Sequence, residues 1–318
     1  MGSLAFKDIQ DAARRIGPFV HRTPVLTSSW LDGQTGGHLF FKCENLQKGG
    51  AFKARGAHNA IFMLEPGIAG RGVVTHSSGN HAAALALAAR RRGISARVVM
   101  PSNAPAIKKS AVAGYGAVII ECEPTLASRE ATTAELIAET GAHLIHPYDD
   151  YHVMAGQGTA ALELLEDRPD LDCVLVPVGG GGLLAGTAVA AKEIGRGITV
   201  IGVEPEQADD AFRSFHGGIR VGVDSPLTIA DGLRSSLGEK TFPIVRQTVD
   251  DVVTVSEAGI VRAMRLLWER MKIIVEPSSA VPLAGILEGK IAVAGHNVGI
   301  ILTGGNVALD ALPWPCKP

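Results

Sequence analysis

The sequence of 318 residues has little of several features that would assign it to a specialised class of protein. Its four cysteines form no Cys-x-x-Cys pair and no metal-type spacing, so we predict reduced thiols and no disulfide framework. No stretch of about 18 apolar residues could span a bilayer, and the N-terminus lacks the pattern of a signal peptide. A formal net charge of −2 argues against nucleic acid or an anionic membrane as the main partner. We therefore expect a globular cytoplasmic protein.

The order of the hydrophobic segments predicts an α/β protein. Between residues 71 and 147, short β-branched runs alternate with alanine-rich helical segments. This alternation is typical of a parallel sheet with helices packed on its faces, and this block is expected to form a domain of its own. The alternation resumes near residue 154 and predicts a second parallel sheet, whereas residues 205–253 have a less regular pattern with turns at Gly217 and Gly218.

One lysine stands where its amine could act as a nucleophile. Gly49 and Gly50 precede a helical pattern over residues 51–64, so Lys53 is expected in the first turn of a helix among small and apolar neighbours. Burial and the positive end of a helix dipole both disfavour an ammonium group there, which lowers the lysine pKa and suits a Schiff base. A lysine taken at random is more often solvated, so this interpretation depends on the other motifs.

Two loops stand where a predicted strand is followed by a helix, the position at which unpaired backbone N–H groups point towards an anion. The first loop, residues 77–81, reads Ser-Ser-Gly-Asn-His, and its polar side chains suit a carboxylate or a phosphate. The second is the four-glycine run at residues 179–182, whose backbone can wrap closely round a phosphate. No Gly-Lys-Ser/Thr sequence follows these glycines, which excludes a Walker-type loop.

Two other classes of function remain open from the residues alone. The pattern Gly180-x-Gly182-x-x-Ala185, with Glu204 at the end of the next strand, fits the fingerprint of an NAD(P)-dependent oxidoreductase. That fingerprint would fall in the middle of the chain, and it would leave Lys53 without a role. A non-catalytic metabolite-binding protein would use the anion loops but would not need an activated amine.

Together the motifs resemble those of the pyridoxal-phosphate enzymes of the serine racemase and threonine dehydratase family, which have the tryptophan-synthase-β fold. The segments that show the resemblance, in the same order along the chain, are residues 48–56, 75–81, 155–159, 179–182, 204–210 and 302–306. The resemblance implies two doubly wound domains, each with a mainly parallel sheet, and an active site in the cleft between them. The large cofactor-binding domain would comprise residues 1–70 and 148–318, and the small mobile domain residues 71–147.

The resemblance also implies the residues that bind pyridoxal 5′-phosphate. Lys53 would hold the cofactor as a Schiff base, with Phe52 supporting its ring. Asn80 would hydrogen-bond the 3′ oxygen and Thr303 would face the pyridine nitrogen. The phosphate would be held by Gly179, Gly180, Gly181 and Gly182.

A further set of residues is implied to bind the substrate, and its members are Ser77, Ser78, Asn80, His81 and Arg129. Ser78 resembles the catalytic residue that protonates Cα on the face opposite Lys53, although a plain carboxylate contact is an equal alternative from the sequence. Arg129 could pair with a side-chain carboxylate of the substrate, or it could be an exposed helix arginine.

A divalent-cation site is implied at Glu204, the carbonyl of Ala208 and Asp210, because such oxygen ligands suit Mg²⁺ or Ca²⁺. The alternative at these positions is a solvated acidic loop. A homodimer is also implied. Ala83 and Trp30 stand where mammalian racemases have nucleotide contacts, which puts ATP activation in question.

The implied reaction is dehydration of a β-hydroxy amino acid of the serine or threonine type to a 2-oxo acid and ammonia, with or without serine racemisation. A 3-hydroxyaspartate dehydratase is the alternative within the family. The hydroxyl of Thr303 cannot keep the pyridine nitrogen protonated as a carboxylate would, so elimination of the β-hydroxyl is expected to be favoured.

Overall fold

The computed structural model describes residues 3–77, 79–104, 106–195 and 197–314. The strands in this part of the chain are β1 (Val25–Leu26), β2 (His38–Cys43), β3 (Val73–His76), β4 (Ala96–Pro101), β5 (Val118–Cys122), β6 (His143–Leu144), β7 (Cys173–Pro177), β8 (Thr199–Pro205), β9 (Asp251–Val255) and β10 (Asn297–Leu302). The α-helices are α1 (Phe6–Ile16), α2 (Ser29–Thr35), α3 (Lys53–Met63), α4 (Pro66–Ala69), α5 (Asn80–Arg92), α6 (Ala106–Gly114), α7 (Leu126–Thr140), α8 (Tyr151–Asp167), α9 (Gly182–Ile194), α10 (Asp210–Gly217), α11 (Thr241–Thr248), α12 (Glu257–Leu266) and α13 (Pro277–Leu287).

The strands form two sheets. The larger has the order β1-β2-β10-β7-β8-β9, and all of its pairs are parallel except β1 with β2. The smaller has the order β5-β4-β3-β6 and is entirely parallel. This arrangement confirms the predicted α/β class with two mainly parallel sheets. All strands of the smaller sheet lie within residues 71–147, while the division into a large domain and a small mobile domain stays a prediction.

The central strands are apolar because helices cover both faces of a parallel sheet. In β10, Val298, Ile300, Ile301 and Leu302 are completely buried, although they point alternately to opposite faces. The carboxyl ends of β3, β7 and β10 lead into the segments that hold the predicted site residues. Ligands bind at this end of the strands in open α/β sheets.

Three helices approach one another through glycine residues and thereby fix two parts of the predicted site. A Cβ atom added at Gly156 of α8 would lie 2.6 Å from the Cα atom of Gly56 in α3. One added at Gly186 of α9 would lie 2.5 Å from the carbonyl oxygen of Met154 in α8. Both clashes are with backbone, so only glycine permits this spacing. Helix α3 begins with Lys53 and α9 begins at the four-glycine loop. The contacts of both helices with α8 therefore set the distance between the lysine and the loop.

Residues 205–253 are more regular than their sequence predicts, since they contain α10 and α11. Each of these helices has only eight residues, which is too short for a clear periodic pattern, and α11 includes Pro243 near its start. Helix α12 ends at Leu266, and a π-turn (Leu267–Met271) continues it.

No helix in the described part of the chain is long and apolar enough to cross a membrane. The cysteines of this part, Cys43, Cys122 and Cys173, form no disulfide.

Candidate active site

Lys53 is the first residue of α3, so it lies in the first turn of the helix as the sequence predicts, and the residue is half-buried. Its Nζ atom donates a hydrogen bond to the carbonyl oxygen of Pro147 at 2.9 Å and lies 5.1 Å from the centre of the Phe52 ring. Burial lowers the pKa of Lys53 to about 8, and the negative charge of Glu276 opposes this shift. A substantial fraction of the amine is therefore neutral near neutral pH.

The backbone before α3 is held by an unusual turn and by β10. Gly49 and Gly50 have φ values of 71° and 72°, in the left-handed region that favours glycine. The N–H of Phe52 donates to the carbonyl oxygen of Thr303 at 2.9 Å. The hydroxyl of Thr303 is buried and lies 3.1 Å from the hydroxyl of Ser279. Lys53 and Thr303 are therefore neighbours across the end of the larger sheet.

The four-glycine loop forms the N-terminus of α9, and no side chain caps this helix. Gly181 has a φ of 84°, which requires glycine. A Cβ atom at Gly180 would lie 2.3 Å from the ring of Tyr148, so that position also excludes a side chain. Within the described residues, the N–H groups of the four glycines donate no hydrogen bond. A helix N-terminus with free N–H groups fits a phosphate group.

Pro147 and Tyr148 connect the lysine with this loop. The carbonyl oxygen of Pro147 accepts from Lys53, and the next residue, Tyr148, packs its ring against Gly180. The amine of Lys53 and the four-glycine loop therefore contact two adjacent residues of the chain. This geometry suits a phosphorylated aldehyde, and the residues present fit pyridoxal phosphate.

The loop at residues 77–81 follows β3, and α5 begins within it at Asn80. The hydroxyl of Ser77 accepts from the N–H of Gly79 at 3.3 Å, whereas Ser78 lies outside the described residues. The Asn80 side chain donates to the carboxylate of Glu276 at 2.9 and 3.1 Å and accepts from Asn306 at 2.9 Å. Asn80 is thereby held at the end of β10, on the same side as Lys53.

His81 is buried, and its Nε2 atom lies 3.4 Å from the carbonyl oxygen of Ile145. Burial, and to a smaller degree the charge of Lys53, hold the pKa of His81 well below its ordinary value, so the imidazole is neutral. Its Nδ1 atom has no hydrogen-bond partner among the described residues. His81 thus lies close to Lys53 but faces the protein interior.

Two further histidines lie at the end of β3. The rings of His76 and His146 are 5.5 Å apart, and His146 lies 4.6 Å from the Tyr148 ring. Burial lowers the pKa of His146 to about 4 and also lowers that of His76, to which the charge of Arg129 contributes. The positive charge of Arg129, on α7, therefore acts on His76.

The residues predicted as a cation site lie between β8 and α10. Glu204 accepts hydrogen bonds from the N–H groups of Ala211 and Phe212, and Asp210 accepts one from Leu237 at 3.2 Å. Burial raises the pKa of Glu204 to about 9 and that of Asp210 to about 6, and the charge of Asp210 adds to the shift at Glu204. Ala208 lies between them and is completely buried. The pair is not a solvated acidic loop.

Sequence reasoning missed two residues of this site. Glu276 is buried between Lys53 and Asn80, and burial, reinforced by the charge of Asp231, raises its pKa to about 7. A single acid in the apolar run Ile-Ile-Val-Glu-Pro could have indicated it, since a buried charge needs a specific partner. Tyr148 has no comparable pattern around it in the sequence, because its contact with Gly180 joins distant segments.

The family model described as "Pyridoxal-phosphate dependent enzyme" matches residues 16–304. The chain belongs to this family. It is 52% identical to the beta-hydroxyaspartate dehydratase of Paracoccus denitrificans (strain Pd 1222), over 97% of this chain and 98% of that protein. It is 49% identical to the serine racemase of Dictyostelium discoideum, over 98% of both chains.

Solved structures of the family have the same fold. The structure of maize serine racemase has a TM-score of 0.95 and 48% identity, covering 97% of this chain and 95% of that one. The crystal structure of a threonine deaminase from T.th. has a TM-score of 0.91 and 47% identity, covering 96% of this chain and 99% of that one. The protein is thus a pyridoxal-phosphate enzyme, as the resemblance implied. The family match decides against the nicotinamide-dependent oxidoreductase and the non-catalytic binding protein.

Proposed function

We propose that the protein is a pyridoxal-phosphate-dependent ammonia-lyase that converts a β-hydroxy amino acid of the serine or threonine type to a 2-oxo acid and ammonia, with serine racemase activity as a second outcome at the same site. The observation that best supports this function is the buried amine of Lys53 beside the uncapped glycine loop. The similar dehydratase, racemases and deaminase are named for reactions on amino acids.

The cofactor would be held by residues at the N-termini of α3, α5 and α9 and by Thr303, directly after β10. Lys53 would bind it covalently, the N–H groups of Gly179, Gly180, Gly181 and Gly182 would hold its phosphate, and Phe52, Asn80 and Thr303 would contact its ring. When bound, pyridoxal phosphate withdraws electrons from the substrate Cα atom and makes its proton acidic. Thr303 offers only a hydroxyl to the pyridine nitrogen, which favours loss of the β-hydroxyl over a long-lived carbanion.

The chain's own groups would orient the substrate and move its proton. The N-terminus of α5, with Ser77, Ser78, Asn80 and the backbone N–H of His81, would hold the substrate carboxylate and orient its Cα–H bond. The neutral amine of Lys53 would remove the Cα proton, which its lowered pKa supports.

We assign Ser78 the transfer of a proton on the face opposite Lys53. Replacement of Ser78 by Ala should then abolish racemisation, while elimination from the L-enantiomer survives in part because it uses Lys53 alone. Exchange of the Cα hydrogen in deuterated water, followed for each enantiomer, measures this difference.

Glu204, Asp210 and the carbonyl of Ala208 would bind a divalent cation. Burial raises the pKa of both carboxyl groups, and a divalent cation bound between them would favour their charged forms. The described residues contain no group of three or more His, Cys, Asp and Glu side chains suited to a metal, so the other ligands would be backbone and water oxygens.

A 3-hydroxyaspartate dehydratase is the second candidate, because the charge of Arg129 acts on His76 at the end of β3. A guanidinium group there could pair with the additional carboxylate of such a substrate. The identity of 52% with a beta-hydroxyaspartate dehydratase supports the same substrate class.

The decisive experiment is to supply the purified protein with pyridoxal phosphate and with serine, threonine and 3-hydroxyaspartate as separate stereoisomers. Formation of 2-oxo acid and ammonia, which Lys53→Ala should abolish, would establish the lyase. Enantiomer analysis of the remaining substrate would report racemisation. Absence of 2-oxo acid from every substrate, with cofactor bound, would contradict the proposal.

We also propose a cytoplasmic homodimer, which the resemblance to the family supports and light scattering would test. Ala83 is buried and offers no polar group, so an ATP effector would lack a contact there.

A further inference from the structure

A cluster of four charged side chains lies behind Lys53, and the proposed reaction does not use it. Its members are Lys42, Glu44, Arg55 and Glu163, which we call the anchor cluster. The first three side chains have 0% exposure and that of Glu163 has 14%. Burial of this much charge is costly unless it is paired, so the arrangement needs an explanation beyond packing.

Arg55 is the centre of the anchor cluster. Its guanidinium group donates to both oxygens of Glu44 at 2.7 Å and to both oxygens of Glu163 at 2.7 and 2.8 Å. It also donates to the hydroxyl of Thr159 at 3.1 Å and to the carbonyl oxygen of His21 at 3.2 Å. One side chain thus ties α3 to α8, to the segment after β2 and to the segment before β1.

The second cation, Lys42, is bound to the same carboxylate. Its Nζ atom donates to Glu163 and to the carbonyl oxygen of Thr23, both at 2.7 Å. Two positive and two negative groups make the cluster neutral overall. The pKa of Lys53 is shifted by burial and by the charge of Glu276, so any effect of the cluster on Lys53 would be an effect on its position.

Arg55 and Lys53 lie on opposite sides of the first turn of α3. Residues two positions apart are separated by about 200° round an α-helix, so one side chain can face the cleft while the other faces the interior. No side chain caps this helix N-terminus. It is also connected by the hydrogen bond from Phe52 to Thr303 and by the one from the N–H of Gly56 to Gln157, at 3.1 Å.

We propose that Arg55 is a positioning residue that holds the first turn of α3 so that the Lys53 amine stays at bonding distance from the cofactor aldehyde. The inference rests on the proposed role of Lys53. Buried ion pairs add little stability compared with apolar residues of the same size, but their fixed fork geometry can enforce one conformation. The anchor cluster would therefore add little to the free energy of unfolding, but it would restrict Lys53 to one position.

The anchor cluster consists of two ion pairs, each without net charge. Two double variants can therefore be compared, each of which removes one ion pair. Glu44→Gln/Arg55→Met removes the pair attached to α3 and leaves Lys42 with Glu163. Lys42→Met/Glu163→Gln removes the other pair and leaves Arg55 with Glu44. Neither variant leaves a buried charge without its partner.

Each holoprotein is reduced with borohydride, and the fraction of bound cofactor fixed to Lys53 is measured with kcat, KM and Tm. We expect Glu44→Gln/Arg55→Met to retain cofactor through the glycine loop, but to lose covalent attachment and about 10- to 100-fold in kcat. The Lys42→Met/Glu163→Gln control should keep kcat within about threefold at a similar loss of Tm. Equal loss of attachment in both variants, or no loss in either, would overturn the proposal.

Arg55→Lys provides a second test. Lysine keeps the positive charge, so neither carboxylate is left unpaired and the protein should still fold, but it lacks the planar guanidinium group that bonds both carboxylates at once. It should also lower the fraction of covalently attached cofactor, and an unchanged fraction would count against positioning. Failure of the proposed function is distinguishable, since the wild type would then form no 2-oxo acid from any of the substrates. If only this inference is wrong, the wild type will still be active and will still hold the cofactor covalently on Lys53.

Discussion

At the residue scale, the pKa of Lys53 decides whether its amine can react near neutral pH. An ordinary lysine, with a pKa near 10.5, has roughly 0.03% of its amine neutral at pH 7, whereas a pKa of about 8 leaves roughly a tenth neutral. Burial is the main cause of this shift. The larger fraction of neutral amine therefore follows from the position of Lys53 at the start of α3, where the surrounding protein excludes water.

We expect the rate at which the cofactor-free protein binds pyridoxal phosphate covalently to depend on this pKa. Because only the neutral amine attacks the aldehyde, the rate should rise about tenfold per pH unit below pH 8 and level off above it. The appearance of the Schiff-base absorption band after rapid mixing measures the rate. A free lysine derivative serves as the control, since its rate should continue to rise to about pH 10. A protein profile that follows the control would show an unshifted amine.

Arg129 provides a second prediction at this scale. If its guanidinium binds a substrate side-chain carboxylate, Arg129→Gln should lower kcat/KM for 3-hydroxyaspartate by about 10- to 100-fold, as expected for loss of a charge-assisted hydrogen bond worth about 1.5–3 kcal/mol. Elimination from serine, which lacks that carboxylate, is the internal control and should change little. Equal losses with both substrates would instead indicate a structural role for Arg129.

At the scale of elements, the contact of α3, α8 and α9 determines the spacing between the lysine and the glycine loop. The contact depends on glycines at which a Cβ atom would meet backbone rather than a movable side chain. Such a contact cannot relax by a rotamer change, so any enlargement must separate the helices.

Gly156→Ala should therefore destabilise the protein by about 1–3 kcal/mol, because its Cβ atom would lie 2.6 Å from Gly56 and 2.7 Å from the carbonyl oxygen of Arg55. Urea unfolding followed by circular dichroism measures the change. Gly67→Ala in α4 is the matched control, since a Cβ atom there meets nothing within 4 Å and should leave stability unchanged or slightly increased. Similar unfolding midpoints for both variants would contradict the tight helix contact.

At the scale of the whole molecule, the Glu204 and Asp210 pair joins β8, α10 and the segment before α11. Asp210 accepts from Leu237, and Thr241 further along donates to the carbonyl oxygen of Gly180 at 2.8 Å. The proposed cation site is therefore linked to the four-glycine loop through the segment that contains Leu237 and Thr241. A cation bound only by the folded protein would stabilise the whole fold by mass action.

We expect a chelator to lower Tm and activity together, and Mg²⁺ or Ca²⁺ to restore both. At a free cation concentration about 100 times its Kd the stabilisation is about 2.7 kcal/mol. Asp210→Ala should remove the sensitivity to chelator. Asp209→Ala should retain it, because Asp209 is exposed and pairs with Arg213. A wild type whose Tm ignores chelators would contradict a cation at this site.

Much of the fold was predictable because its information is local. The alternation of β-branched runs and alanine-rich helices predicted both parallel sheets, and the two glycines before Lys53 predicted where α3 begins. The helices α10 and α11 were not predicted, since eight residues contain too few turns for a reliable pattern. The family and its cofactor were also recognisable, because each motif is a short segment in which neighbouring residues act together.

The sequence by itself thus determined the α/β class and the family, and it predicted Lys53 and the glycine loop as site residues. Only the tertiary structure revealed Glu276 beside Asn80, Tyr148 against Gly180, and the anchor cluster behind Lys53. These contacts join residues that are about 10 to 200 positions apart, and no local pattern records which distant side chain meets a given one. The burial that lowers the Lys53 pKa arises in the same way, because neighbours that exclude water from the amine come from several separate segments of the chain.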